Sequence, residues 1–288
     1  MSKIDNINSN VMICIPTYKR KFFAALGLIT TNPDLIFHLC VRKEEYENGF
    51  YDNEIFKQPN IRFVLLENVN CIGETREAIL QESIKRGYKY CMMIDDTTYC
   101  IHDTTNRMYT LSSIINSCLF RFETDEFKDK AFSFIFSRKA FSNSANKQKT
   151  YFISQLCQVY IINLALVQEY DLHFKRMDLV GVEDLIFYFE ACTKGLVALS
   201  DTRFIRTGLM PSVKKEGGCH HGNEERKEKD VQHERFVIME RYVDTLSNDL
   251  DKKFLKRVDS VLYPETYYWK LDTKYALKKL KGHEFYED

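Results

Sequence analysis

The 288-residue chain has no net charge, with 41 Lys and Arg against 41 Asp and Glu. That balance excludes a global electrostatic pull toward nucleic acid or an anionic membrane, and leaves only local charge patterns to weigh. No apolar stretch approaches the roughly 18 to 20 residues of a membrane span. The opening MSKIDNINSN is polar and unlike a signal peptide, so no export segment is expected. Internal repeats and low-complexity segments are lacking, and Pro and Gly are sparse, at 5 and 11 residues. No CxxC pair occurs among the nine cysteines at 14, 40, 71, 91, 100, 118, 157, 192 and 219, and their number is odd. A disulfide framework and a structural zinc site are therefore not expected. Several cysteines sit inside apolar runs such as Val11-Met12-Ile13-Cys14-Ile15, as reduced core thiols do, and the expected setting is cytoplasmic.

What is present is material for a large core: 44% hydrophobic residues, with 21 Phe and 17 Tyr. Four short continuous apolar runs occupy the first third: VMICIP (11–16), IFHLCV (36–41), IRFVLLEN (61–68) and YKYCMMIDD (88–96). Runs of this length without polar alternation fit strands covered on both faces. Between the third and fourth, GETREAILQESIKRGY has helical periodicity and Gly87 as a C-cap. Strands separated by crossovers predict an α/β fold, an open, mainly parallel sheet with helices on both faces. Further on, TLSSIINSCLFRF reads as a helix, AFSFIFS as a strand, SRKAFSNSANKQKT as a polar loop, VEDLIFYFEACTKGL (182–196) as a helix closed by Gly195, and LVALSDTRFIR as a strand. Residues 212–230, glycine- and charge-rich, lack periodicity and read as either a mobile loop or a surface tail section. Residues 231–288 read as one or two amphipathic helices, dividing the chain into 1–230 and a C-terminal extension.

In open parallel sheets ligands bind outside the carboxyl ends of the strands. Asp95 and Asp96 fall at one such end, and Pro16, Thr17, Tyr18, Lys19 and Arg20 at another. Two adjacent carboxylates after a buried strand repel one another and need compensation, from water at an ordinary turn or from a metal ion. Each of the stretches IPTYKR, GETREA, IDDT and GVED also has an ordinary structural reading: a strand end, a solvated first helical turn, a strand-end turn, a helix N-terminus. His220 and His221, in GGCHHG, read on their own as exposed loop residues rather than ligands.

Order and spacing add what the single motifs lack. The succession IPTYKR, GETREA, IDDT, GVED resembles that of GT-A-type glycosyltransferases, and is similar in particular to those associated with phage DNA base hypermodification. The resemblance covers roughly residues 11–100 and 178–225. It implies a GT-A-like catalytic domain over 1–230 that binds a nucleotide-sugar donor, expected to be a UDP-sugar. Pro16, Thr17, Tyr18, Arg20, Gly73, Arg76 and Asp95 would form the donor site. Asp96 would hold Mn²⁺ or Mg²⁺, with His220 or His221 completing the shell, and the metal would act as a Lewis acid on the departing diphosphate. Asp184 would be the base toward an acceptor hydroxyl, with Glu183 as the alternative; in a retaining enzyme Asp184 would orient the donor sugar instead. Thr97 stands where the family pattern has a third acid, which bears on metal dependence and leaves a non-catalytic binding protein as a further reading.

Residues 252–281 hold nine Lys or Arg against three acids, with Tyr263, Tyr267, Tyr268, Trp269 and Tyr275 interleaved. Such a stretch suits phosphates and exposed bases, and with the resemblance it makes a modified DNA base one acceptor to consider. A solvated helix face, an anionic membrane surface, and a glycan or protein acceptor are the alternatives. The oligomeric state is not legible.

Overall fold

The computed structural model describes residues 2–20, 23–103, 110–138, 151–153, 158–175, 182–208, 228–260, 267–272 and 275–276. In chain order its elements are α1 (Lys3–Asn10), β1 (Val11–Pro16), α2 (Leu26–Thr31), β2 (Phe37–Arg42), α3 (Lys43–Glu47), a 3₁₀ turn (Glu54–Phe56), β3 (Ile61–Leu66), α4 (Ile72–Lys85), β4 (Tyr90–Ile94) and β5 (Thr98–Asp103). Then come α5 (Leu111–Phe122), β6 (Ala131–Arg138), β7 (Tyr151–Ile153), β8 (Val159–Asn163), α6 (Leu164–Glu169), α7 (Glu183–Thr193) and β9 (Val197–Gly208). The C-terminal part holds α8 (Glu228–Thr245), α9 (Asp249–Lys252), β10 (Leu255–Asp259) and β11 (Tyr267–Leu271).

The four apolar runs form β1 to β4 as expected, all parallel, in the order β3-β2-β1-β4. β1 and β4 are buried at every position, which requires cover on both faces of the sheet. The chain steps outward from β1 to β3, then returns through α4 to lay β4 on the other side of β1. The strand order therefore reverses between β1 and β4, the place where a crevice opens beyond the strand ends of such sheets.

Beyond β4 the sheet is mixed, continuing β8-β6-β9-β5 with β7 also on β9. β8 runs antiparallel to β4 and β6, while β5 and β7 run antiparallel to β9. The other six strands share one direction, so the sheet is mainly parallel. β4 passes to β5 through a turn too short for a crossover, and β5 accordingly runs the opposite way.

Local chemistry explains the helix ends. Gly87 takes φ +77° and its N–H reaches the Ile84 carbonyl at 2.9 Å, closing α4. Gly195, at φ +86°, closes α7 in the same way. α7 buries a nearly continuous apolar surface, and its Phe187 stacks on Phe174 with ring centroids 4.0 Å apart. The described cysteines Cys14, Cys40, Cys71, Cys91, Cys118 and Cys192 are buried free thiols, as their apolar neighbours implied.

The C-terminal region departs from the all-helical expectation. α8 and α9 are helices, but Leu255–Asp259 and Tyr267–Leu271 pair as an antiparallel hairpin. YYWKL is rich in the aromatic residues that favour a pleated, half-buried surface. One face packs on α8: Trp269 donates its indole N–H to Glu240 at 3.0 Å, and Arg257 lies 4.5 Å from the Tyr267 ring centroid and 6.0 Å from that of Phe236. α8 begins at Glu228, so the expected boundary at 230 falls inside its first turn. No helix among the described residues is long and apolar enough to cross a membrane.

Candidate functional site

Three chain segments meet at the reversal point. The first leaves β1. Pro16, which has no N–H to donate, ends the strand beside Cys40, and the Thr17 N–H reaches the Cys40 carbonyl at 3.2 Å. Lys19 then takes φ +50°, a left-handed conformation unusual for a residue with a side chain. This turn buries Arg20, whose Nη1 lies 3.1 Å from Asp96 Oδ1. Tyr18 forms an outer wall with its ring under the Arg42 guanidinium, 4.0 Å from the centroid, and Arg42 also donates to the Asn70 carbonyl at 3.2 Å.

The second segment is the turn after β4. The Thr98 N–H bonds to the Asp95 carbonyl at 2.9 Å, the Asp95 N–H to the Gln158 carbonyl at 2.7 Å, and the Ala25 N–H to the Asp96 carbonyl at 3.1 Å. Three backbone bonds to neighbouring elements thus fix where the two carboxylates stand. Asp96 points inward to Arg20, and Asp95, more open, faces Arg76 at 3.5 Å.

The third segment is the facing pair α4 and α7. Arg76 is buried in the first turns of α4, bonded to Glu183, with Asp184 at 4.0 Å and the Tyr160 ring centroid at 5.8 Å. Glycine at 73 permits this approach. A Cβ there would collide with the Lys175 carbonyl and lie 3.3 Å from the Glu183 Cβ. The segment before α7 is tied to α4 as well, since Glu77 accepts from the Phe174 N–H at 2.7 Å and pairs with His173 at 2.8 Å.

Four carboxylates, Asp95, Asp96, Glu183 and Asp184, therefore surround two guanidiniums, Arg20 and Arg76, an excess of two negative charges when all are ionised. Burial first, and the crowding of acids second, show in the titration of Asp96 and Asp184. Burial pushes the Asp96 carboxyl up to about 6, with Arg20 pulling against the rise and Asp95 adding to it. Burial, then the neighbouring Glu183, also raises Asp184, while Arg76, the Leu185 N–H and Arg235 of α8 act in the opposite direction. Burial likewise works against the charge of Arg76, and the surrounding acids counter it.

The donor set fits a hard divalent cation: Asp95 and Asp96 are adjacent oxygen donors in a site with surplus negative charge. No three His, Cys, Asp or Glu side chains among the described residues are grouped to hold a metal unaided. His220 and His221 lie outside the described residues.

The four motifs read from the sequence thus come together, and Pro16, Thr17, Tyr18, Arg20, Gly73, Arg76, Asp95, Asp96, Glu183 and Asp184 line or support one strand-end cluster. Glu183 is nearly inaccessible, 2% exposed, and committed to Arg76, whereas Asp184 keeps an open edge. Sequence reading missed Tyr160, Arg42, Glu45 and Arg235. None lies in a motif, and Arg235 comes from a helix assigned to the extension. The only hint was a carboxylate, Glu45, directly after an apolar strand.

No family model and no curated protein matches the chain. Among solved structures it is similar to S. aureus TarS 1–349 in complex with UDP-GlcNAc, at 13% identity over 85% of this chain and 70% of that one, TM-score 0.48. It is similar to the mannosyltransferase PcManGT from Pyrobaculum calidifontis in complex with GDP-Man and Mn²⁺, at 10% identity over 67% and 56% of the two chains, TM-score 0.42. A UDP-glucose pyrophosphorylase complexed with UDP-glucose follows at 10% identity over 68% and 92%, TM-score 0.40. All three scores lie below 0.5, a degree of likeness that transfers no activity.

Proposed function

We propose that the chain is a glycosyltransferase that moves a sugar from a nucleoside-diphosphate sugar, in the first instance a UDP-sugar, to an acceptor hydroxyl. The observation that carries this reading is the convergence of four separated motifs on one carboxylate-rich cluster at the reversal point of the sheet. In this reading Thr17, Tyr18 and Arg20 border the nucleoside. Arg76, set behind the acids, holds Asp95 and Asp184 in place, and Gly73 lets α4 come close enough for it to do so. Asp96, with Asp95 beside it, would hold Mn²⁺ or Mg²⁺, which supplies Lewis acidity to the leaving diphosphate.

Asp184 is the proposed base. Its raised carboxyl pKa brings it toward neutral pH, where a base is both available and strong enough to act. It takes the acceptor hydroxyl proton as that oxygen bonds to the anomeric carbon, and the bond from that carbon to the diphosphate breaks with its electron pair leaving on the nucleotide. Glu183, bound to Arg76, serves to orient. Should transfer retain configuration, Asp184 orients the donor sugar instead.

The acceptor in this reading is a hydroxymethylated DNA base, supported by Lys256, Lys270 and Tyr268 on one face of the hairpin. A glycan or protein acceptor is the second reading, favoured by the packing of Tyr267 and Trp269 against α8, which removes them from base stacking.

The test is a thermal-shift panel of nucleoside diphosphates with Mn²⁺. A selective rise with UDP, absent in Asp96→Ala, is the expected result; no rise with any nucleotide defeats the reading. Donor hydrolysis with and without Mn²⁺ separates an enzyme from a protein that only binds.

A further inference from the structure

Glu45 is buried where no motif called for a carboxylate. It lies in α3, just past β2, and is 6% exposed. Its Oε2 accepts from the Lys19 backbone N–H at 3.1 Å and from the Tyr51 hydroxyl at 2.8 Å. Tyr51 is itself buried, edge-on to Phe50 and Phe56 with centroids 5.1 and 5.3 Å away. Oε1 has no hydrogen-bond partner among the described residues. A carboxylate kept in such surroundings costs stability compared with an apolar side chain of the same size.

What Glu45 holds is a strained turn. The left-handed backbone at Lys19 is unfavourable for any residue with a Cβ, and it lies between Thr17, still bonded to β2, and Arg20, bonded to Asp96. Lys19 carries a Cβ that disfavours this conformation, and its backbone N–H faces the Glu45 carboxylate at 3.1 Å. We propose that Glu45 is a positioning residue, which clamps the Lys19 N–H so that the turn after β1 keeps Arg20 on Asp96 and Thr17–Tyr18 facing the strand-end site. For its ligand this rests on the nucleotide-sugar reading above; the clamp itself stands apart from it.

The test compares the wild type with Glu45→Ala, Glu45→Gln and the double variant Glu45→Ala/Lys19→Gly. UDP affinity is measured calorimetrically with Mn²⁺ present, alongside melting and crystal structures. Glu45→Ala should weaken UDP binding roughly ten- to a hundredfold, the scale of a site displaced from outside. Glu45→Gln still offers an oxygen to the Lys19 N–H and should bind nearly as the wild type does. Adding Lys19→Gly should recover much of the loss, because glycine adopts a positive φ unaided. A Glu45→Ala protein that melts earlier but binds UDP normally overturns the proposal, as does a double variant no better than Glu45→Ala. A wild type that binds no nucleoside diphosphate defeats the nucleotide-sugar reading instead. The clamp is then judged on the Arg20–Asp96 pair, which should part in Glu45→Ala and reform in the double variant. A pair intact in Glu45→Ala overturns it.

Discussion

Arg76 and Arg257 both lie near tyrosine rings, 5.8 Å from Tyr160 and 4.5 Å from Tyr267, yet their surroundings differ in kind. Arg76 is buried among Glu183, Asp95 and Asp184 at the end of the central sheet. Arg257 is exposed on the C-terminal hairpin, where water solvates its charge. Along the sequence both are basic residues beside acids and apolar residues, with nothing local to mark one as buried. Charge removed from water must be matched by partners, so the strand-end cluster is a connected unit in which each group constrains the next. The charges of the C-terminal region are local: in α9 Lys252 pairs with Asp249 at 3.3 Å, and Lys256 of the hairpin pairs with Asp272 at 3.5 Å, contacts of little energetic weight at a surface.

The largest expected effect tests that contrast directly. Arg76→Ala strands buried carboxylates and should destabilise the fold by about 3–5 kcal/mol. Arg257→Ala should cost under about 1 kcal/mol, the scale of an exposed cation–π contact. Urea denaturation of both variants checks the pair, and equal losses would erase the distinction.

A smaller effect sharpens the comparison through pH. The folded-state value of Asp96, about 6, lies above its ordinary 3.8, so the native state holds that proton more tightly than the unfolded chain does. Stability without cation or nucleotide should therefore fall as pH rises from about 4 to about 6. Asp184, raised as well, adds to the fall in the same direction. Asp96→Asn should flatten the slope across that window, as read from unfolding at a series of pH values; an unchanged slope would place the excess charge elsewhere. His173, between Glu77 and Asp171 and shifted upward by both, contributes stability below its ordinary 6.5 that is lost as pH rises through the higher folded value.

The smallest effect belongs to the hairpin. Lys256 and Lys270 stand opposite each other across the strand pair, and the double change to Gln should move stability by no more than about 0.5 kcal/mol. The UDP response should be unchanged. Salt-sensitive retention on DNA, if the acceptor reading holds, should weaken. Retention unaffected by the change would favour a glycan or protein acceptor.

Much of the fold was legible because β1, β2 and β4 are buried along nearly their whole length and so appear as unbroken apolar runs, while the edge strand β3 keeps enough apolar residues to read the same way. The helix between β3 and β4, α4, ends at Gly87, whose left-handed cap few other residues tolerate. The hairpin was not legible, since Leu255–Asp259 and Tyr267–Leu271 are short, half-buried and rich in basic residues that a helix face accommodates equally well. At the site, Asp95–Asp96 and Glu183–Asp184 stood out as paired acids in apolar settings. Glu45 and Tyr160 did not, because their meaning depends on Lys19 and Arg76, which they meet only in the folded chain.

The amino-acid sequence alone determined that β1 to β4 form, where α4 and α7 begin and end, and that acids and arginines follow the strands, because these depend on local periodicity and capping. Which arginine meets which acid was decided by tertiary structure. Only the return of β4 to the far side of β1 sets Asp96 against Arg20, and only the close approach of α4 to α7 at Gly73 sets Arg76 against Glu183. Partners in space are chosen by strand order and packing, and neither is written in the spacing along the chain.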